Sequence, residues 1–385
     1  MRGSLLPEES ASVSVGSRLD SAVLARPLTP THSRRERGKG ILRALFGTPA
    51  TALLTLAIAA LLGWAIPGLI GWSVTGATWV AENRRGCGPD GACWAFIRAR
   101  IGLFLYGGYP AAEHWRVDLA AALAGAALLG CLFARRHRGA WFAILLVVVP
   151  ITGGVLLAGG ILGLRPVPTA DWGGLMLNAV LSFVAVGGAI PLGTLLALGR
   201  RSPLPFVRGL CVALIEFWRG VPLLGVLFMG LVLLPMVLPA GVTVDNLVRA
   251  LVVLTLFASA YMAEVVRGGL QGVPNGQREA AAALGLHPLQ VNLTVVLPQA
   301  WRIALPGVVN VVVDLFKDTT LVSIVGLFDL MGVVNQSLKD QAWLGLAREG
   351  YAFAALLFFG CCLLLSLAGS VLERRLTQDT PSSRR

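Results

Sequence analysis

Long apolar stretches alternate with short polar, mostly basic connections along most of the chain. A helix crossing ~30 Å of hydrocarbon at ~1.5 Å per residue needs about 20 apolar residues, so such stretches can be counted as spans. The pattern predicts eight, at about residues 49–72, 117–133, 141–164, 175–198, 206–238, 247–266, 303–331 and 351–372. The fifth is over-long and carries Pro222, which predicts a kinked, tilted or broken helix. The seventh is interrupted by Lys317-Asp318. The expected fold class is therefore all-α, a polytopic membrane protein in a lipid bilayer.

Composition agrees. Of 385 residues 56% are hydrophobic and 14% charged, against about a quarter charged in a soluble domain. The net charge of +12 could suggest a nucleic-acid partner, but the basic residues lie between apolar runs, so none is expected. They read as a topology code. Arg34, Arg35, Arg37, Lys39 and Arg43 precede the first span, and Arg135, Arg136 and Arg138 follow the second. Arg200, Arg201 and Arg208 follow the fourth, Arg267, Arg278 and Arg302 frame the connection after the sixth, and Arg374, Arg375, Arg384 and Arg385 follow the eighth. With eight spans all fall on one side, which puts both termini in the cytoplasm. Residues 1–40, Ser-rich and basic, read as a disordered cytoplasmic tail, and 376–385 as a second one.

The first external loop runs from Ser73 to Trp115 and carries Arg84, Arg85, Arg98 and Arg100 against the charge rule. It also holds Cys87 and Cys93, a disulfide pair if the loop faces an oxidising compartment and two free thiols otherwise. Catalytic signatures are missing. No phosphate-cradling Gly-x-x-x-x-Gly-Lys-Ser/Thr occurs, and His32, His114, His137 and His287 show no metal-ligand spacing, so no metal site and no enzyme activity is expected.

The connection after the sixth span, residues 268–302, is too long for a turn. Gly272-Val-Pro-Asn-Gly276 reads as a loop, Gln277 to Leu284 as a helix ended by Gly285, and His287-Pro288 as the start of another. Glu279 then falls in the first helical turn, where it could act simply as a cap, and Ala280 to Ala283 offer a flat surface for close approach by another protein.

These residues carry a resemblance. Glu279-Ala280-Ala281, Gly285 after three intervening residues, and Val295-Val296-Leu297-Pro298 after nine more resemble the EAA loop of permease subunits of ATP-binding-cassette importers, with Val295 where that family usually has Ile. Ala260-Tyr-Met-Ala-Glu264-Val-Val-Arg267, Glu216-Phe-Trp-Arg219-Gly220-Val-Pro222 and Lys317-Asp318-Thr-Thr-Leu321 are similar to the branch that carries polar amino acids. The extended amino end is similar to the large permeases of general L-amino-acid transporters. The resemblance implies three amino-terminal spans with the Cys-bearing loop over 41–172 and a type I permease core over 173–375. It implies an importer of L-amino acids, polar or broad in range, in the bacterial inner membrane. An ATP-binding subunit, present in two copies per complex, would dock at Glu279, Ala280, Ala281, Gly285, Leu297 and Pro298. A second, homologous permease subunit and a periplasmic amino-acid-binding protein would complete the system. No cofactor is expected in this chain, since ATP and Mg would be bound by the ATPase.

Charges inside spans are costly and so are functional candidates. Glu216 and Arg219, and Asp314, Lys317 and Asp318, stand at helical spacing and either neutralise one another or line a translocation path. An ion-coupled secondary amino-acid transporter would use the same charges, but it would not need the docking loop.

Overall fold

The computed structural model describes residues 45–134, 137–239, 241 and 243–378. The expected tail 1–40, the basic residues up to Arg43, Arg135 and Arg136, and the end 379–385 lie outside the described residues. Among the described residues all regular elements are helical, and strand-like pairing is limited to isolated bridges. The chain divides into two units, one ending at Ile70 and the other running from Gly71 onward.

The first unit contains α1, Pro49–Ile70, which buries none of its side chains. In the second unit α2 is Trp94–Tyr106, α3 His114–Phe133, α4 Arg138–Ala158 and α5 Gly174–Gly199. Next come α6, Pro205–Gly220, and α7, Leu223–Val237, followed by α8, Asn246–Gly272. The remaining helices are α9 Asn275–Ala283, α10 Leu297–Asp318, α11 Leu330–Ser337 and α12 Ala347–Gln378.

Six helices among the described residues are long and apolar enough to cross a membrane, seven if α6 and α7 make one span. The remaining expected span, the seventh, corresponds to α10. At 22 residues it is about 33 Å long, but Arg302, Asp314, Lys317 and Asp318 make it less apolar. The apolar piece expected to continue it to Met331 instead coils into a 3-10 turn, Thr319–Val325, ended by Gly326 at φ +93°. The fifth expected span is broken. Proline at 222 withholds a backbone donor and pushes Val221 into extended geometry, so α6 stops and α7 restarts at an angle of 100°.

The core is centred on α5 against α8. Leu177, Leu181, Ala185 and Ala189 repeat every four residues on one face of α5, opposite Ala250, Leu254 and Ala258 on α8. Small residues bring the backbones close: a Cβ on Gly193 would stand 2.6 Å from the Met262 Cβ and 2.8 Å from the Ser259 carbonyl oxygen. Asp245 caps α8, accepting from the Leu247 and Val248 amides.

The loop after the first span, expected to be external, is more structured than the sequence suggests. Its α2 buries Ala95, Phe96, Ile97 and Phe104 in a cluster with Leu330, Val334, Trp343 and Leu346. Cys87 and Cys93 are joined by a disulfide, and the Cys93 amide donates to Glu349 at 3.1 Å.

Candidate functional site

Two places bring the candidate residues together, and both are built on α8 and α10.

The first is the segment between these helices. Val273 is buried, Pro274 fixes the turn, and α9 begins at once at Asn275. Glu279 is thus the fifth residue of α9 rather than a first-turn residue as expected, because Pro274 starts the helix two residues early. It is exposed and caps nothing. Gly285 at φ +79° ends the helix, a conformation in which its missing Cβ matters. His287 then caps the next turn with Gln290, the Leu289 amide donating to His287 Nδ1 at 3.4 Å and the His287 amide to Gln290 Oε1 at 3.0 Å. A wide helical turn over Val291–Val296 leads into α10.

Within this elbow Ala281 faces inward, packed with Val291 and Val296. The flat alanine face is therefore incomplete: Ala281 fastens α9 to the protein, while Ala280, Ala282 and Ala283 stay exposed. Leu284 is 82% exposed at the tip beside Gly285, an apolar side chain the sequence reading passed over. Leu297 is half-buried and Pro298 exposed in the first turn of α10. Gln299 Nε2 donates to Gln277 Oε1 at 3.3 Å, tying α9 to α10.

The second is a cavity of about 270 Å³ between α8 and α10, lined by Phe257, Ala258 and Tyr261 and by Val311, Asp314, Leu315, Lys317 and Asp318. Lys317 Nζ lies 2.9 Å from Asp314 Oδ1, which leaves Asp318 as the carboxylate in the wall that this ion pair does not engage. Just beyond it, Thr319 belongs to a buried network: Asn178 on α5 donates to Thr319 Oγ1 (2.8 Å) and Asp329 Oδ2 (3.1 Å) and accepts from the Leu330 amide (3.0 Å). Every member of that network is at most 1% exposed. Neither the network nor the two aromatic walls can be read from local spacing, because Asn178 and Asp329 are 151 residues apart.

Glu216 and Arg219, expected on the same path, do not line this cavity. They join Arg200, Glu264 and Arg267 in an ionic group where α5, α6 and α8 meet. Arg219 still touches the cavity indirectly, its guanidinium carbon 5.9 Å from the centre of the Tyr261 ring. Among the described residues no cluster of His, Cys, Asp and Glu could hold a metal ion.

Charges beside a cavity on membrane-length helices are functional candidates, since each is costly in a bilayer. Residues 189–378 match the binding-protein-dependent transport system inner membrane component family. The chain is similar to the inner membrane amino-acid ABC transporter permease protein YhdY of Escherichia coli (44% identity over 367 residues, 94% of this chain and 100% of that one). It is also similar to the glutamate/glutamine/aspartate/asparagine transport system permease protein BztC of Rhodobacter capsulatus (38% identity, 78% of this chain and 82% of that one). Among solved structures, the crystal structure of an amino acid ABC transporter with histidines matches at 29% identity and a TM-score of 0.47, over 52% of this chain and 91% of that one. The chain belongs to this family of amino-acid ABC transporter permeases: it is a multi-pass inner-membrane protein and the permease subunit of a binding-protein-dependent importer.

Proposed function

We propose that the elbow 273–298 is where an ATP-binding partner subunit drives this permease. The observation that carries the reading is the exposed tip, Glu279, Ala280, Leu284 and Gly285, on a helix clamped to the body by Ala281 and by the Gln277–Gln299 bond. A surface that is both presented and rigidly held can pass force to α8 and α10, which flank the cavity. ATP binding moves the permease between its inward and outward states only if this contact differs in energy between them.

On this reading ATP and Mg are bound by two copies of the partner, a second homologous permease completes the membrane core, and a periplasmic binding protein delivers the amino acid. Both termini then face the cytoplasm, residues 41–172 are an extension ahead of the core 173–375, and 376–385 form a tail. The cavity is the substrate path, with Asp318 for the ammonium group and Lys317 for the carboxylate of a polar L-amino acid. The polar range named for the Rhodobacter relative supports that class.

The test is co-purification. The wild-type chain, extracted in mild detergent, should retain an ATPase subunit, and Glu279→Lys or Gly285→Asp should lose it about tenfold or more, a change of ~1.4 kcal/mol, at equal membrane abundance. Retention of the ATPase by both variants would sink the docking role. Failure of the wild type to bring down any ATPase would favour ion-coupled transport instead.

A further inference from the structure

The ionic group at the basic ends of α5, α6 and α8 lies between the two sites, and neither uses it. Glu264 is its centre. It accepts from Arg200 at 2.6 Å and from Arg267 at 2.7 and 2.9 Å, and stands 3.8 Å from Arg219. Glu216 lies 3.3 Å from Arg200 and 3.8 Å from Arg219. Three guanidiniums therefore share two carboxylates, and Glu264 is the one that touches all three and is the less exposed, at 17% against 53%.

Both functional sites are within reach of this carboxylate. One turn back along α8, Tyr261 lines the cavity with the Arg219 guanidinium beside its ring. In the other direction α8 runs unbroken to Gly272, with Arg201 donating to the Leu270 carbonyl, and α9 begins three residues later. Packing there is backbone-tight, since a Cβ on Gly269 would stand 2.3 Å from the Ala300 carbonyl oxygen of α10.

We propose that Glu264 is a positioning residue of the transport cycle: by pairing with Arg200 and Arg219 it fixes α5 and α6 to α8, so that a displacement of the elbow moves the Tyr261 wall of the cavity with it. The inference rests on the ATPase-driven reading above. Glu264 itself touches neither substrate nor ATPase. Its removal leaves three guanidiniums against one carboxylate, and the uncompensated repulsion among these cations would part the three helices. Taking away one cation as well would relieve that repulsion.

The experiment uses the whole complex, with its ATPase, partner permease and binding protein, in proteoliposomes supplied with a mixture of radiolabelled L-amino acids. Uptake per ATP hydrolysed is the readout. Glu264→Gln should lower it at least tenfold with ATP hydrolysis within about twofold of wild type. Glu264→Gln with Arg200→Gln should restore it to within about threefold. Wild-type uptake per ATP in the single variant would overturn the proposal, as would an equal loss in single and double variants, which would mean that shape and not charge balance matters. Should the single variant fail to accumulate, the double decides: restored accumulation and uptake support the proposal, and failure of both overturns it. ATP-independent uptake by the wild type would instead overturn the coupling reading itself.

Discussion

At the scale of single residues, the cavity charges can be tested apart from stability. The Lys317–Asp314 pair has side chains 55% and 66% exposed, and pairs of that kind contribute between 0 and ~1 kcal/mol. Asp314→Asn or Asp318→Asn should therefore leave membrane abundance unchanged while shifting half-saturating concentrations severalfold, unequally between amino acids; uptake of singly labelled amino acids by whole cells checks this. Loss of the protein from the membrane would return both residues to a structural role. Asp314, Lys317 and Asp318 were legible as candidates because a charge within an apolar run needs a reason. Glu264 was visible only as part of a motif, since Arg200 lies 64 residues away and no local spacing relates the two. Glu279 was read as a first-turn residue because the helix was started at Gln277, whereas Pro274 starts it at Asn275.

At the scale of elements, the contact of α5 with α8 depends on a close approach at Gly193, where no side chain intervenes on the α5 side. Gly193→Ala should lower thermal stability in detergent by about 1–3 kcal/mol, because its Cβ would meet the backbone oxygen of Ser259 as well as Met262. Gly125→Ala on α3 meets nothing within 4 Å and should be neutral or stabilising by up to ~1 kcal/mol, as the helix gains a better former. Melting of the two variants, followed by fluorescence-detected size exclusion, separates the effects; equal behaviour would mean the close approach carries no weight. The apolar pattern located the helices of this contact to within a few residues at most ends, since lengths and polar breaks set them. It also anticipated the break at Pro222, a restriction that belongs to the residue itself. It did not foresee the turn after Asp318, where Thr319 is taken up by Asn178 from a distant helix.

At the scale of the whole molecule, α2 is the element least visible in the sequence. Thirteen residues cannot cross a bilayer, and Arg98 and Arg100 gave the stretch the look of a polar loop. Its burial comes from residues far along the chain, with Phe96 against Trp343, Arg100 paired with Asp340 and the Cys93 amide on Glu349. The resemblance to a five-span core invites a shorter protein begun at Gly173. Such a protein would bare Leu330, Val334, Trp343 and Leu346, each at most 4% exposed in the full chain. It should aggregate on extraction where the full chain runs as a single species, and a monodisperse peak from the shortened protein would contradict this. Part of what looks like an appendage is thus interior wall for the core. Anyone exchanging segments between long and short permeases should carry α2 and its disulfide together with the loop 327–349, because the two were fitted to each other and neither is complete alone.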